Sequence, residues 1–236
     1  MSELLVVRHG QATVGVGDYD QLSERGWVQS RRLGAWLLAH HPEGFAHVVT
    51  GEMRRHRQTL DAIAEAYDAA GTPLRAPRVH GTLNEFDHDA VLQAFQKLRA
   101  DHPAAGALNF DRGADPRALF RALRAGLLAW SAGELEEELA EGWTAFSSRV
   151  AQGADEIRTL ADQGAPTLVV TSGGVIAQLA RRALGLTPAA TVNLNLTIRN
   201  SALSEFRSLD GALGILSWNT LPHLSDAADR ALWTHY

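Results

Sequence analysis

Leu4-Leu5-Val6-Val7-Arg8-His9-Gly10-Gln11 is the stretch on which the fold turns. A short apolar run that stops at Arg8-His9-Gly10 has the pattern of a buried strand ending in a polar loop. Gly15, Gly17 and Asp18 extend that loop. Outward from there, a helical stretch runs from about Ser23 to His40 and is closed by His41-Pro42. His47–Thr50 reads as a second strand. Met53 to Tyr67 reads as a helix, with Met53, Leu60, Ile63, Ala64 and Tyr67 spaced for one face. Thr167–Thr171 is the most strand-like run of all. It leads through Ser172-Gly173-Gly174 into a helix whose Val175, Ile176, Leu179, Ala180, Ala183 and Leu184 share a face, stopped by Gly185.

Between these lies a mostly helical stretch, about 88 to 163. Val91, Leu92, Phe95 and Leu98 mark one helix, and Asp115-Pro116 is a cap-plus-first-turn signal for the next. Phe146, Val150, Ile157 and Leu160 mark a third. Gly106–Ala114 reads as a mobile loop, and Glu134–Glu141 as an acidic, solvated helix face. Asp210-Gly211 between Ser201–Ser208 and Leu213–Trp218 is a hairpin signal. Strands alternating with helices predict a three-layer α/β/α sandwich with a mostly parallel central sheet. The hairpin would lie on its edge near the C-terminus. The expectation is one domain over 1–236, with a helical cap insertion at about 88–142 over the site.

Composition bounds the function. At 236 residues with 45% hydrophobic and 21% charged, the chain suits one large globular domain and not a disordered one. A net charge of −5 argues against broad nucleic-acid or anionic-membrane binding, though it permits a local basic pocket. The start of the chain lacks a basic segment followed by a long apolar run, so a cytoplasmic protein is expected. With no cysteine, a disulfide framework and a thiolate nucleophile are excluded. Ten histidines remain, but they show no metal-ligand spacing, so neither a metal nor a cofactor is expected.

In open α/β sheets ligands sit at the carboxyl ends of strands. Three such ends here carry Arg8-His9-Gly10-Gln11, then Thr50-Gly51-Glu52 with Arg54-Arg55-His56-Arg57, and Thr171-Ser172-Gly173-Gly174. Guanidinium groups, an imidazole and helix N-terminal amides together describe an anion site. The planar fork of arginine can bond two phosphate oxygens at once.

Leu5-Val6-Val7-Arg8-His9-Gly10-Gln11-Ala12 resembles the signature of the histidine phosphatase superfamily, in its phosphoglycerate-mutase-like branch. The resemblance continues at Leu22-Ser23-Glu24-Arg25-Gly26, Arg55-His56-Arg57-Gln58-Thr59, Leu83-Asn84-Glu85-Phe86, Val170–Ile176 and Asn219 with His223-Leu224. It implies that His9 accepts a phosphoryl group, that Arg8 and Arg55 hold its oxygens, and that Glu85 is the general acid and base. Gln11, Ser172, Gly173, His56 and His88 are the expected substrate-binding residues. The partner implied is a small phosphorylated substrate. A homodimer through the edge hairpin or a helix face is compatible with the sequence.

The chain departs from the resemblance at three places. Ser172 stands where the family places a second histidine, Gly51 where it often has serine, and Gly15 near a usual polar residue. A serine hydroxyl can donate to phosphate but brings no positive charge. Three readings follow: Ser172 with the Gly173 amide suffices, or His56 or His88 enters the pocket, or the site binds phosphorylated ligands and turns them over poorly. Phosphomonoester hydrolysis through phosphohistidine is the leading expectation. A phospholigand-binding or scaffold protein and a mutase-type phosphotransferase are the alternatives.

Overall fold

A computed structural model describes residues 3–13, 20–105, 116–162 and 164–235. The expected loop glycines Gly15 and Gly17, the loop Gly106–Ala114 and the capping Asp115 lie outside the described residues. Strands β1 (Glu3–Arg8), β2 (His47–Thr50), β3 (Arg78–Val79), β4 (Thr167–Thr171), β5 (Leu203–Leu209) and β6 (Ala212–Thr220) form one sheet in the order β3-β2-β4-β1-β5-β6. The four strands from β3 to β1 are mutually parallel, while β5 is antiparallel to β1 and to β6. The mixed, mostly parallel sheet with a terminal edge hairpin is the architecture expected from the sequence. Asp210 and Gly211 join β5 to β6 with φ of 48° and 84°, the two positive values that a tight hairpin turn matching the strand twist requires.

Helices α1 (Glu24–His40), α2 (Arg54–Ala69), α3 (His88–Leu98), α4 (Pro116–Ser131), α5 (Trp143–Asp162), α6 (Gly173–Leu184) and α7 (Pro188–Asn195) flank the sheet. Successive side chains of a strand point to opposite faces, and β1 divides accordingly. Leu5 and Val7 pack with Val48, Leu168 and Val170 against Leu33 and Leu37 of α1 and Ile63 and Tyr67 of α2. Leu4 and Val6 pack with Val49 and Val169 on the other side, against Phe146, Val150 and Ile157 of α5 and Ile176 of α6. Burial on both faces explains why these strands read as continuous apolar runs.

Three features differ from the sequence reading. Strand β3 has two exposed residues and no apolar signal of its own. Helix α7 is short, and its only local mark is Thr187-Pro188, whose threonine accepts from the Ala190 amide. The acidic run at Glu134–Glu141 is not a helix face. It folds into a 3-10 turn at Glu136–Glu138, and Glu134, Glu138 and Glu141 pair with Arg99, Lys97 and Arg149. Cations contributed from α3 and α5 turn that run into a tie between elements.

Candidate active site

Because β1, β2 and β4 are parallel, their carboxyl ends open on one side of the sheet. Arg8 is opposite Thr171, and the His9 amide donates to the Thr171 carbonyl at 2.9 Å. The loop after β1 is clamped to α1 by two close approaches. A Cβ on Gly10 would lie 2.5 Å from the Gly26 carbonyl oxygen, and one on Gly26 would lie 2.1 Å from that of Gln11. Ser23 caps α1 by accepting from the Gly26 amide at 3.1 Å, and its own amide donates to the Gln11 carbonyl at 2.8 Å. The Gln11 side chain accepts from the Ser23 hydroxyl at 3.1 Å, so it serves this clamp.

His9 is 3% exposed. Its Nδ1 lies 2.7 Å from the Gly10 carbonyl, which can only accept, so Nδ1 carries a proton. Burial, then Arg55 and Arg8, hold the imidazole pKa well below its ordinary value. A neutral ring protonated at Nδ1 leaves Nε2 with its lone pair.

Arg55 is placed by α2. The residue before that helix is Met53, which cannot cap it with a side chain. Asp20 does so instead, accepting from the Arg54 amide at 2.8 Å and from the Arg55 guanidinium at 2.9 Å. Arg8 donates to the Ile198 carbonyl from Nη1. Glu85 accepts from the Gly174 amide, in the first turn of α6, at 3.0 Å through Oε2. Its Oε1 is buried with no hydrogen-bond partner among the described residues.

The segment that carries Glu85 is held from four sides. Arg149 of α5 donates from Nη1 to the carbonyls of Gly81, Thr82 and Asn84 at 3.1, 3.2 and 2.9 Å. The Thr171 hydroxyl donates to the Leu83 carbonyl at 2.6 Å. Asn84 and Glu52 bond reciprocally, at 2.7 and 2.8 Å. Phe86 packs on Trp130, with ring centroids 4.5 Å apart.

Arg8, His9, Arg55, Glu85 and His88 line one cavity of about 100 Å³, together with Phe86, Leu123, Leu127, Asn195, Leu196 and His235. The expected catalytic set is thus brought together with His88. Gln11, His56, Ser172 and Gly173 are not on its wall. His56 and Ser172 are both fully buried and bonded to each other, Nε2 to Oγ, at 2.6 Å. A larger cavity of about 870 Å³ lies between α3, α4 and the start of α7, away from His9. The smaller one holds His9, both arginines and Glu85. No cluster of three or more His, Cys, Asp or Glu that could hold a metal occurs among the described residues, and no described helix is long and apolar enough to cross a membrane.

Two residues of this site gave no sequence signal. Arg149 sits in an ordinary amphipathic helix. His235 reaches the cavity because the end of the chain is strapped to the loop before β5. The Asn200 amide donates to the Thr234 carbonyl at 2.8 Å, and Gln29 donates to the Thr234 hydroxyl at 2.9 Å. Burial, then Arg199 and Arg8, lower the His235 pKa.

Comparison with solved structures finds the same fold repeatedly. A phosphoglycerate mutase from Bacillus anthracis is 20% identical with a TM-score of 0.64, covering 94% of each chain. A mycobacterial glucosyl-3-phosphoglycerate phosphatase is 20% identical with a TM-score of 0.61, over 93% of this chain and 100% of the other. A phosphoserine phosphatase from Entamoeba histolytica is 15% identical with a TM-score of 0.60, over 95% and 100%. No curated protein sequence matches the chain. The model of the histidine phosphatase superfamily (branch 1) matches residues 4–221. A match over nearly the whole sheet and its flanking helices, with His9 and two arginines converging on one cavity, makes this chain a member of the histidine phosphatase superfamily, branch 1.

Proposed function

We propose that this protein hydrolyses small phosphomonoesters through a phosphohistidine formed at His9. The observation that carries the reading is the neutral His9 ring, pinned at Nδ1 by the Gly10 carbonyl and sharing a cavity with two arginines and one carboxyl group. In the first step Nε2 attacks phosphorus and the ester P–O bond breaks. Glu85 gives its proton to the departing alkoxide oxygen. Arg8 and Arg55 offset charge on the non-bridging oxygens, which are also what they bind in the ground state. In the second step Glu85 takes a proton from water, the water oxygen attacks phosphorus, and the P–N bond breaks to release inorganic phosphate.

The cavity wall from Leu123 and Leu127 of α4 and His88 of α3 supports assigning substrate choice to the helical cap, residues 88–142, within a single domain. Ser172 is assigned the position that the superfamily gives to a second histidine. The test is incubation with p-nitrophenyl phosphate in the presence of a chelator, followed by trapping of acid-labile, base-stable phosphate on the protein. Turnover and a phosphoprotein that both vanish in His9→Ala are expected. Ligand binding without either would make the protein a phospholigand-binding module instead. Transfer to a second alcohol in preference to water would make it a mutase.

A further inference from the structure

The cap helix α4 presents different side chains to two cavities. Leu123 and Leu127, four residues apart and so on one face, line the cavity that holds His9. Arg121 and Arg124 line the larger cavity between α3, α4 and the start of α7, as does Arg99 just after α3. The Arg124 guanidinium is turned to α7, donating to the Asn193 side-chain oxygen at 2.8 Å. The helix thus carries arginines but sets leucines toward the proposed nucleophile.

Phe86 and Leu196 extend the apolar wall of the smaller cavity. The core backs it. Phe86 and Leu127 are buried, while Leu123 and Leu196 are partly buried and pack on the same cluster. The Phe86 ring lies against Trp130 and Phe146, with centroids 4.5 and 5.4 Å away. Phe86 directly follows Glu85, so the wall adjoins the carboxyl group that protonates the departing oxygen. That is the side on which the alcohol of the substrate must sit.

Charge points the same way. A phosphoryl ester carries nearly two negative charges at neutral pH. Arg8 and Arg55 are the only lysine or arginine residues on this wall among the described residues, and Arg55 already shares its charge with Asp20 at 2.9 Å. The phosphoryl group takes both guanidinium groups. The polar groups left are Asn195, His88 and His235. An amide and two imidazoles can satisfy a hydroxyl or a carbonyl. A carboxylate set against Leu123 and Leu127 would lose its water and gain no counter-charge.

Resting on the reading of His9 as phosphoryl acceptor, we propose that the substrate is a phosphomonoester of a small, uncharged, largely apolar alcohol, selected by the Leu123 and Leu127 face of α4 with Phe86 and Leu196. Hydrolysis breaks the P–O bond to that alcohol. The alcohol keeps its oxygen and gains a proton, and water supplies the oxygen that joins phosphorus.

The test compares n-propyl phosphate with 3-phosphoglycerate, which share a three-carbon skeleton and differ in the carboxylate. The assay reads release of inorganic phosphate at about pH 8, where an ordinary imidazole is uncharged. Wild type should favour n-propyl phosphate by about tenfold or more in kcat/KM, and kcat/KM should rise by up to about fourfold per methylene from methyl to propyl phosphate. Leu123→Lys should move the ratio of the two substrates toward 3-phosphoglycerate by about tenfold or more. Leu123→Ala, the variant less liable to disturb folding, should lower kcat/KM for n-propyl phosphate about tenfold and for 3-phosphoglycerate less than about twofold. Arg121→Ala, on the wall of the other cavity, should leave the ratio within about twofold of wild type. A wild-type preference for 3-phosphoglycerate overturns the proposal and leaves the hydrolase reading standing. Equal losses on both substrates in Leu123→Ala overturn it as well. Absence of turnover and of phosphoenzyme with every ester overturns the hydrolase reading, and the substrate assignment with it.

Discussion

Arg149→Met isolates the device that holds the proposed acid–base carboxyl group. Arg149 touches neither His9 nor the cavity, and its Nη1 serves three carbonyls of the segment ending at Asn84. Its Nε and Nη2 form a bidentate pair with Glu141 at 2.6 and 2.7 Å. A hydrogen bond to a charged group is worth roughly 1.5–3 kcal/mol, but three acceptors share the hydrogens of one nitrogen, so about one such bond is lost in full. The Glu141 pair is 24% and 30% exposed on its two sides and adds roughly 1 kcal/mol after solvent screening. The methionine stem keeps most of the packing. The sum, about 2–4 kcal/mol, corresponds to a fall in Tm of roughly 5–12 °C for a chain of this size. A loosened Asn84 also lets Glu85 drift, and misplacement of a reacting group by about 1 Å costs up to ~100-fold in rate. Urea unfolding and kcat on p-nitrophenyl phosphate measure the two effects. Arg31→Ala, which removes an exposed pair with Glu65, is the control and should cost under about 1 kcal/mol. In a Glu85→Gln background, Arg149→Met should lower kcat little further while still lowering stability. An Arg149→Met protein that melts and turns over like wild type refutes the reasoning, as does a full additional kcat loss in the Glu85→Gln background.

Three further outcomes are expected. His223 is buried against Ser201 with its pKa pushed down to about 3, so the folded state refuses a proton that the unfolded chain takes up below about 6.5. Its folded pKa is depressed, so stability is lost as pH falls from about 6.5 toward 3, by about 3 kcal/mol at pH ~4.5; urea unfolding at the two pH values should show His223→Gln with a shallower loss. Gly26→Ala would drive a Cβ into the Gln11 carbonyl and should cost about 1–3 kcal/mol or more by thermal unfolding. Trp130 is 1% exposed and stacks among Phe86, Trp143 and Phe146, so Trp130→Ala should cost about 3–5 kcal/mol. Its indole Nε1 is buried with no hydrogen-bond partner among the described residues, so Trp130→Phe should retain most of that stability.

Much of the fold was legible because the parallel strands are buried on both faces and read as unbroken apolar runs. Leu4–Val7, His47–Thr50 and Thr167–Thr171 appear in the sequence nearly at their structural limits. Asp210-Gly211 declared its hairpin through the positive φ that both residues adopt. Strand β3 was silent, since an exposed two-residue edge strand needs no apolar residues. The acidic run at Glu134–Glu141 misled, because Lys97 and Arg99 lie more than thirty positions from their partners and Arg149 sits on the following helix.

The sequence by itself determined the kind of chemistry available: no thiol, one histidine after the first strand, and arginines at strand ends. These follow from local pattern, since a strand that ends in Arg-His-Gly presents those residues wherever its parallel neighbours end. Only the tertiary structure decided which other histidines belong to the site and in what form. His88 and His235 reach the cavity from a cap helix and from the strapped C-terminal end. His56 stays behind the wall, in hydrogen-bond contact with Ser172, where a Cβ on residue 51 would meet its ring. The pairing of His56 with Ser172 joins residues 116 positions apart, and no local pattern in a chain carries that information.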